Sequence, residues 1–139
     1  MMSQIKYFIA IAFISFLFMS CSKKDVTDND ITITNTKLQG KWVFVNFITN
    51  SHYSNMDHIT TTTGSNGDFM NFSTNQQLYV RLLGFDDTFT YSVLKNSRVL
   101  LNGVDTFDLK TLNENQLVLY RHNVYSASSY KEETYNLIK

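Results

Sequence analysis

The chain of 139 residues contains no proline and a single cysteine. One thiol excludes an internal disulfide, so the fold must be held by packing and hydrogen bonding alone. Charge of one sign is also missing. The 12 basic and 12 acidic residues cancel, leaving no basic field to recruit nucleic acid and no acidic field to gather cations. No glycine-rich phosphate loop, no Ser-His-Asp order and no Cys-His pair can be read along the chain. No stripe of alternating basic and aromatic residues suggests single-stranded nucleic acid. These absences lead us to expect a non-catalytic protein without a cofactor or a nucleic-acid partner.

What is present is a supply of aromatic and β-branched side chains. Aromatics make up 14% and hydrophobic residues 43% of the chain. Such side chains fit a pleated, half-buried surface, and there are enough of them to form a core. The length allows one domain.

The only long apolar run is at the N-terminus. Lys6 precedes Tyr7 to Met19, interrupted by Ser15, and small Ser20 comes just before Cys21. This is the layout of a secretory signal peptide, and the run is short for a membrane span, which needs about 20 apolar residues. Leu17-Phe18-Met19-Ser20-Cys21 resembles the lipobox of bacterial lipoproteins, although Phe18 stands where the family usually has leucine. The resemblance implies that residues 1–20 are removed and that Cys21 is lipidated. Two or more acyl chains make such an anchor stable, each buried CH₂ contributing about 0.8 kcal/mol. An ordinary signal peptide or a retained anchor is the alternative. By the same resemblance, Ser22 rather than aspartate after the cysteine implies the outer membrane of a Gram-negative cell, and Lys23-Lys24-Asp25 loosely resembles a surface-export signal. Loss of residues 1–20 takes Lys6 and no acid, so the remaining chain stays close to neutral.

Residues 22–36 are polar and lack aromatics. A segment of this kind buries too little apolar surface to offset its ordering entropy, so residues 21–36 are read as the lipidated cysteine and a flexible tether. Alternatively, Ile31 and Ile33, at strand spacing, begin a first edge strand. The folded domain is expected over residues 37–139.

From Gly40 onward short alternating segments are separated by turn residues, the pattern of an all-β fold. Strands are expected at Lys41–Ile48, Asp68–Phe72, Gln77–Leu83, Thr88–Leu94, Arg98–Leu101, Val104–Thr111, Gln116–Arg121 and Tyr130–Ile138. Asn102-Gly103 is a strong hairpin signal because both residues tolerate positive φ. Eight short strands with short links favour a sequential antiparallel meander, which removes its own edges by closing into a barrel.

Leu38-Gln39-Gly40-Lys41-Trp42 resembles the L-x-G-x-W opening of lipocalin-like domains, and the leucine spacing from Phe107 to Leu119 resembles a later hairpin of small lipocalin-like lipoproteins. The resemblance covers residues 37–139 and implies an antiparallel eight-stranded, lipocalin-like small barrel with Trp42 plugging its floor. Strand parity directs Trp42, Phe44, Phe89, Tyr91, Phe107, Leu109, Leu117, Leu119, Tyr135 and Leu137 inward. These are the candidate ligand-binding residues, and an eight-stranded barrel either fills with such side chains or holds one small ligand. Val43, Val45 and Phe47 make the opposite face of the first strand apolar as well, so this strand is expected to need cover on both faces.

The segment from Thr49 to Gly67 is too long for a simple turn and is expected to be a mobile loop covering an open end. Its His52 and His58, at an H-x5-H spacing, match no standard zinc pattern, and His122 is far away in sequence. Asp86 and Asp87, adjacent on a strand, should point to opposite faces rather than converge on a substrate. Two functional readings remain open. One is a membrane-anchored lipoprotein that binds a small apolar ligand inside the barrel. The other is a structural or interaction lipoprotein with a filled barrel that docks an envelope or extracellular partner.

Overall fold

The computed structural model describes residues 28–139; the expected signal peptide and Cys21 lie outside the described residues. Helix α1 (Asp28–Leu38) is followed by nine strands. They are β1 (Gly40–Tyr53), β2 (Met56–Thr63), β3 (Phe69–Phe72), β4 (Gln77–Leu82), β5 (Phe85–Leu94), β6 (Arg98–Leu101), β7 (Asp105–Leu112), β8 (Gln116–Ser126) and β9 (Ser129–Ile138). β1 and β3 to β9 run antiparallel in sequence order, and pairing of β1 with β9 closes these eight into a barrel. β2 is an additional strand, paired with the second half of β1.

The long segment after Ile48 is therefore not the loop expected from its composition. β1 continues to Tyr53, turns through Ser54 and Asn55, both at positive φ, and returns as β2. A two-residue turn of this hand matches the right-handed twist of a hairpin. Threonines 60 to 63, read as loop residues from their polarity, are good strand formers, and here each pairs with a residue of β1. The connection from β2 to β3 then crosses close behind β1. A Cβ on Gly64 would lie 2.5 Å from the Phe44 carbonyl oxygen, so this crossing requires glycine.

A bulge in β1 between Phe44 and Asn46 corrects a second expectation. The extra residue reverses the alternation. Trp42 and Phe44 point inward before the bulge, and Phe47 packs against the core after it. Trp42, Phe44 and Phe47 thus make one inward face with a step in it, and of the three residues expected to need outer cover Phe47 is turned in while Val43 is exposed.

The two ends of the barrel differ. One end, the floor, carries the β3–β4, β5–β6 and β7–β8 turns and is crossed by α1. The helix takes up residues 28–36 of the expected tether, which are neither extended nor paired as an edge strand; the rest of the tether lies outside the described residues. Its threonines and asparagines are weak helix formers, so packing must hold it. Leu38 is fully buried. The Trp42 Nε1–H donates to the Leu38 carbonyl at 2.7 Å, and the Lys139 ammonium lies 4.2 Å above the Trp42 ring. That ammonium also donates to the carbonyls of Lys37 and Gln39, a cation at the negative end of the helix dipole. Gly40, at φ +108°, makes the bend from helix to strand. The Tyr91 hydroxyl donates to the Ser73 carbonyl at 2.8 Å and reaches Asn35. At 11 residues, α1 is not long or apolar enough to cross a membrane.

The opposite end, the mouth, carries the β1–β2, β4–β5, β6–β7 and β8–β9 turns. Here β1, β2, β9 and the end of β8 extend as a four-stranded wing, with every residue of β2 exposed. Asp68, buried, ties the base of this region together: its carboxylate accepts from the backbone N–H groups of Ser65 and Leu83.

Candidate functional site

All ten residues assigned to the interior by strand parity point into the barrel. Trp42, Phe44, Tyr91, Phe107, Leu109, Leu117, Leu119 and Leu137 are buried, and Phe89 and Tyr135 are partly buried against them. They do not form one site. Trp42, Phe44, Tyr91, Leu109, Leu117 and Leu137, with Leu38 and Phe72, fill the floor, whereas Phe89, Phe107, Leu119 and Tyr135 line a cavity toward the mouth.

The cavity has a volume of about 290 Å³. Its apolar wall is completed by Met70, Leu78, Val80, Leu82, Phe85 and Leu101, and its polar rim by Asn102, Asp105 and Arg121. This space is at the lower end of the roughly 300–1,000 Å³ typical of small-molecule sites, and it has their usual apolar wall with a few polar groups. The filled floor exists because its side chains are large and paired across strands, for example Phe72 edge-on to Tyr91 at 5.1 Å. The mouth stays hollow because medium-sized aliphatics (Leu78, Val80, Leu82, Leu101) line it and, among the described residues, no helix crosses it.

Sequence reasoning missed the charged group above this cavity. Arg121 Nε donates to Glu133 at 2.6 Å, a second guanidinium nitrogen reaches the same carboxylate, and Nη1 donates to Asp105 at 2.6 Å. Lys131 donates to the other Glu133 oxygen at 2.8 Å. The guanidinium also sits 5.0 Å from the centre of the Phe107 ring. The Glu133 side chain is only 5% exposed. Burial works against its charge, but the hydrogen bonds from Lys131 and Arg121 prevail and hold the carboxyl below its ordinary range. The signal for this group was in the alternation. Leu117, Leu119 and Arg121 share one parity on β8, and Leu137, Tyr135, Glu133 and Lys131 share one on β9.

Tyr135 stands between the charges and the apolar wall. Its ring packs on Phe47 with centroids 4.5 Å apart and edge-on to Phe107 at 5.9 Å. Its hydroxyl makes no hydrogen bond among the described residues, and burial pushes its pKa up to about 12.

The outer face of the wing carries a second polar cluster. His52 stacks on Tyr130 at 4.9 Å and donates from Nδ1 to the Asp57 carboxylate at 2.7 Å, while His122 meets Tyr130 edge-on at 5.2 Å. Next to it, Glu132 accepts from the Tyr120 hydroxyl at 2.6 Å and from Asn50 at 3.0 Å. This holds Glu132 below its ordinary range and pushes Tyr120 up to about 12. His58 pairs with Ser51, one position out of phase with the His52–Asp57 pair, so it points to the opposite face. Among the described residues no three metal-ligating side chains come together. Asp86 and Asp87 diverge as expected: Asp86 is on the outside of the barrel, where it accepts from Arg81 and Tyr79, each at 2.8 Å.

No family model, curated protein or solved structure matches this chain.

Proposed function

We propose that the chain is a lipoprotein, anchored through Cys21 in the bacterial outer membrane, whose lipocalin-like barrel binds a small apolar ligand in the cavity at its mouth. The observation that carries this reading is the cavity, a hollow of about 290 Å³ with an apolar wall and a polar rim above a solidly packed floor. The role is binding rather than catalysis, without a cofactor. Native mass spectrometry of the protein purified from its host tests it. A bound small molecule should appear as an added mass and should disappear in Leu101→Trp, which fills the cavity wall; a ligand-free spectrum from the host contradicts the reading. The anchor is tested separately, since Cys21→Ser should lose metabolic fatty-acid label and leave the membrane fraction.

A second reading, an interaction lipoprotein, is favoured by the wing. The outer edge of β2 is paired with no other described strand, and Met56, Ile59, Val124 and Tyr125 are exposed on the same extension. A free edge without proline, lysine or a bulge is a template for another strand. Under this reading, deleting the β1–β2 hairpin tip abolishes partner capture and leaves any cavity ligand in place.

A further inference from the structure

If the cavity is a binding site, as proposed above, the charge balance at its mouth discriminates among ligands. Among the described residues Arg121 is the only cation lining the cavity, and its guanidinium is already engaged by Glu133 and Asp105. Lys131, the next cation, holds the remaining oxygen of Glu133. Two cations therefore face two carboxylates. An anionic head group entering here must displace a carboxylate from Arg121, and displacing Glu133 leaves a buried charge with Lys131 as its one remaining cation, which is costly. A cationic head group faces the same exchange in reverse, because both carboxylates are already paired. A neutral polar atom requires neither.

A neutral donor held inside the cavity and left free is the Tyr135 hydroxyl; Asn102, the other neutral polar side chain there, has its carbonyl oxygen engaged by Thr90. It lines the cavity, it is bonded to no described residue, and its ring is fixed between Phe47 and Phe107. With its pKa raised, it is protonated throughout the neutral range and available as a donor. The volume sets the size. A hollow of about 290 Å³ takes about ten non-hydrogen atoms at roughly 30 Å³ each, the share of a water molecule in the liquid. That excludes a whole phospholipid and admits one short chain.

We infer that the cavity selects an uncharged amphiphile: an apolar body of about ten non-hydrogen atoms packed on Leu78, Val80, Leu101 and Leu119, with one oxygen accepting a hydrogen bond from the Tyr135 hydroxyl. Calorimetric titration of the protein purified from its host, with 1-decanol and with decanoate at pH 8, tests this. Decanol should bind, and decanoate should bind at least about tenfold more weakly because no unpaired cation awaits its carboxylate. Tyr135→Phe, nearly isosteric, should weaken decanol about three- to tenfold, the worth of one hydrogen bond. A ligand-side check needs no variant. Decyl methyl ether keeps the accepting oxygen but has no proton to donate, and it should bind within about threefold of decanol. Preference for decanoate, or unchanged decanol binding in Tyr135→Phe, overturns the inference while leaving the cavity a binding site. Failure of every ligand, or binding that survives Leu101→Trp, overturns the cavity reading itself.

Discussion

The floor and the mouth of the barrel are built from opposite kinds of sequence. Floor turns are polar (Ser73 to Gln76, Lys95 to Ser97, Asn113 to Asn115), and the large apolar residues of that end are turned inward beneath α1, apart from exposed Ile33, Val43 and Ile138. Mouth turns expose apolar residues (Tyr53, Met56, Leu83, Phe85, Val104, Tyr125), and the space beneath them is hollow. One barrel thus has two differently built ends. The floor is closed by large, mutually packed side chains, and the mouth, to which the proposed function assigns binding, gives up packing density for space. The same division explains why the ten inward residues identified by parity fall into six that fill and four that line.

The comparison can be broken first at the floor. Trp42→Ala should cost about 3–5 kcal/mol and Leu38→Ala about 2–5, as for other large-to-small changes in a core. Denaturant unfolding followed by circular dichroism measures both. A loss below roughly 1 kcal/mol at Trp42, the size of an average substitution, contradicts its role as floor plug.

A smaller effect is expected at the boundary between the regions. Glu133→Gln keeps the shape but weakens charge-assisted hydrogen bonds, and it should cost about 1–3 kcal/mol at pH 7. Because the folded carboxyl titrates below its ordinary value of 4.5, its stabilisation is complete above that pH. It is lost as pH falls through the lower folded value. Glu132 and Asp86, also depressed, act in the same sense, so the wild-type protein should lose stability in acid. Glu133→Gln should show a shallower acid slope, and an identical slope would mean that Glu133 is not held in its charged form.

The smallest effect belongs to the wing. Ile59, on fully exposed β2, should tolerate lysine within about 0.5 kcal/mol. Amides of β2 should exchange with solvent long before those of β8 and β9 within the barrel. Protection of β2 equal to theirs, or a large cost at Ile59, would show that the wing is covered.

Much of this division could be read from sequence, but not all of it. Strand alternation located eight of nine strands and the direction of all ten inward side chains, because period-two burial is a local property. Two non-local features escaped it. The bulge at Phe44–Asn46 reverses parity, and only the three-residue spacing of Phe44 and Phe47 hints at it. α1 has no apolar periodicity of its own; it depends on Leu38 meeting Trp42 and on Lys139, about a hundred residues away in the chain. The charged group at the mouth was legible in principle, since Arg121 and Glu133 continue the inward parity of their strands. It was missed because burial was sought only among apolar residues.

The claim that one end is filled and the other hollow can be tested most directly with methyl resonances. With leucine and valine methyls labelled, 1-decanol titration should shift Leu78, Val80, Leu101 and Leu119 at the mouth. Leu38, Leu117 and Leu137 at the floor should stay still. Shifts confined to exposed Val104 and Val124, or spread equally over floor and mouth, would contradict a binding cavity above a closed floor.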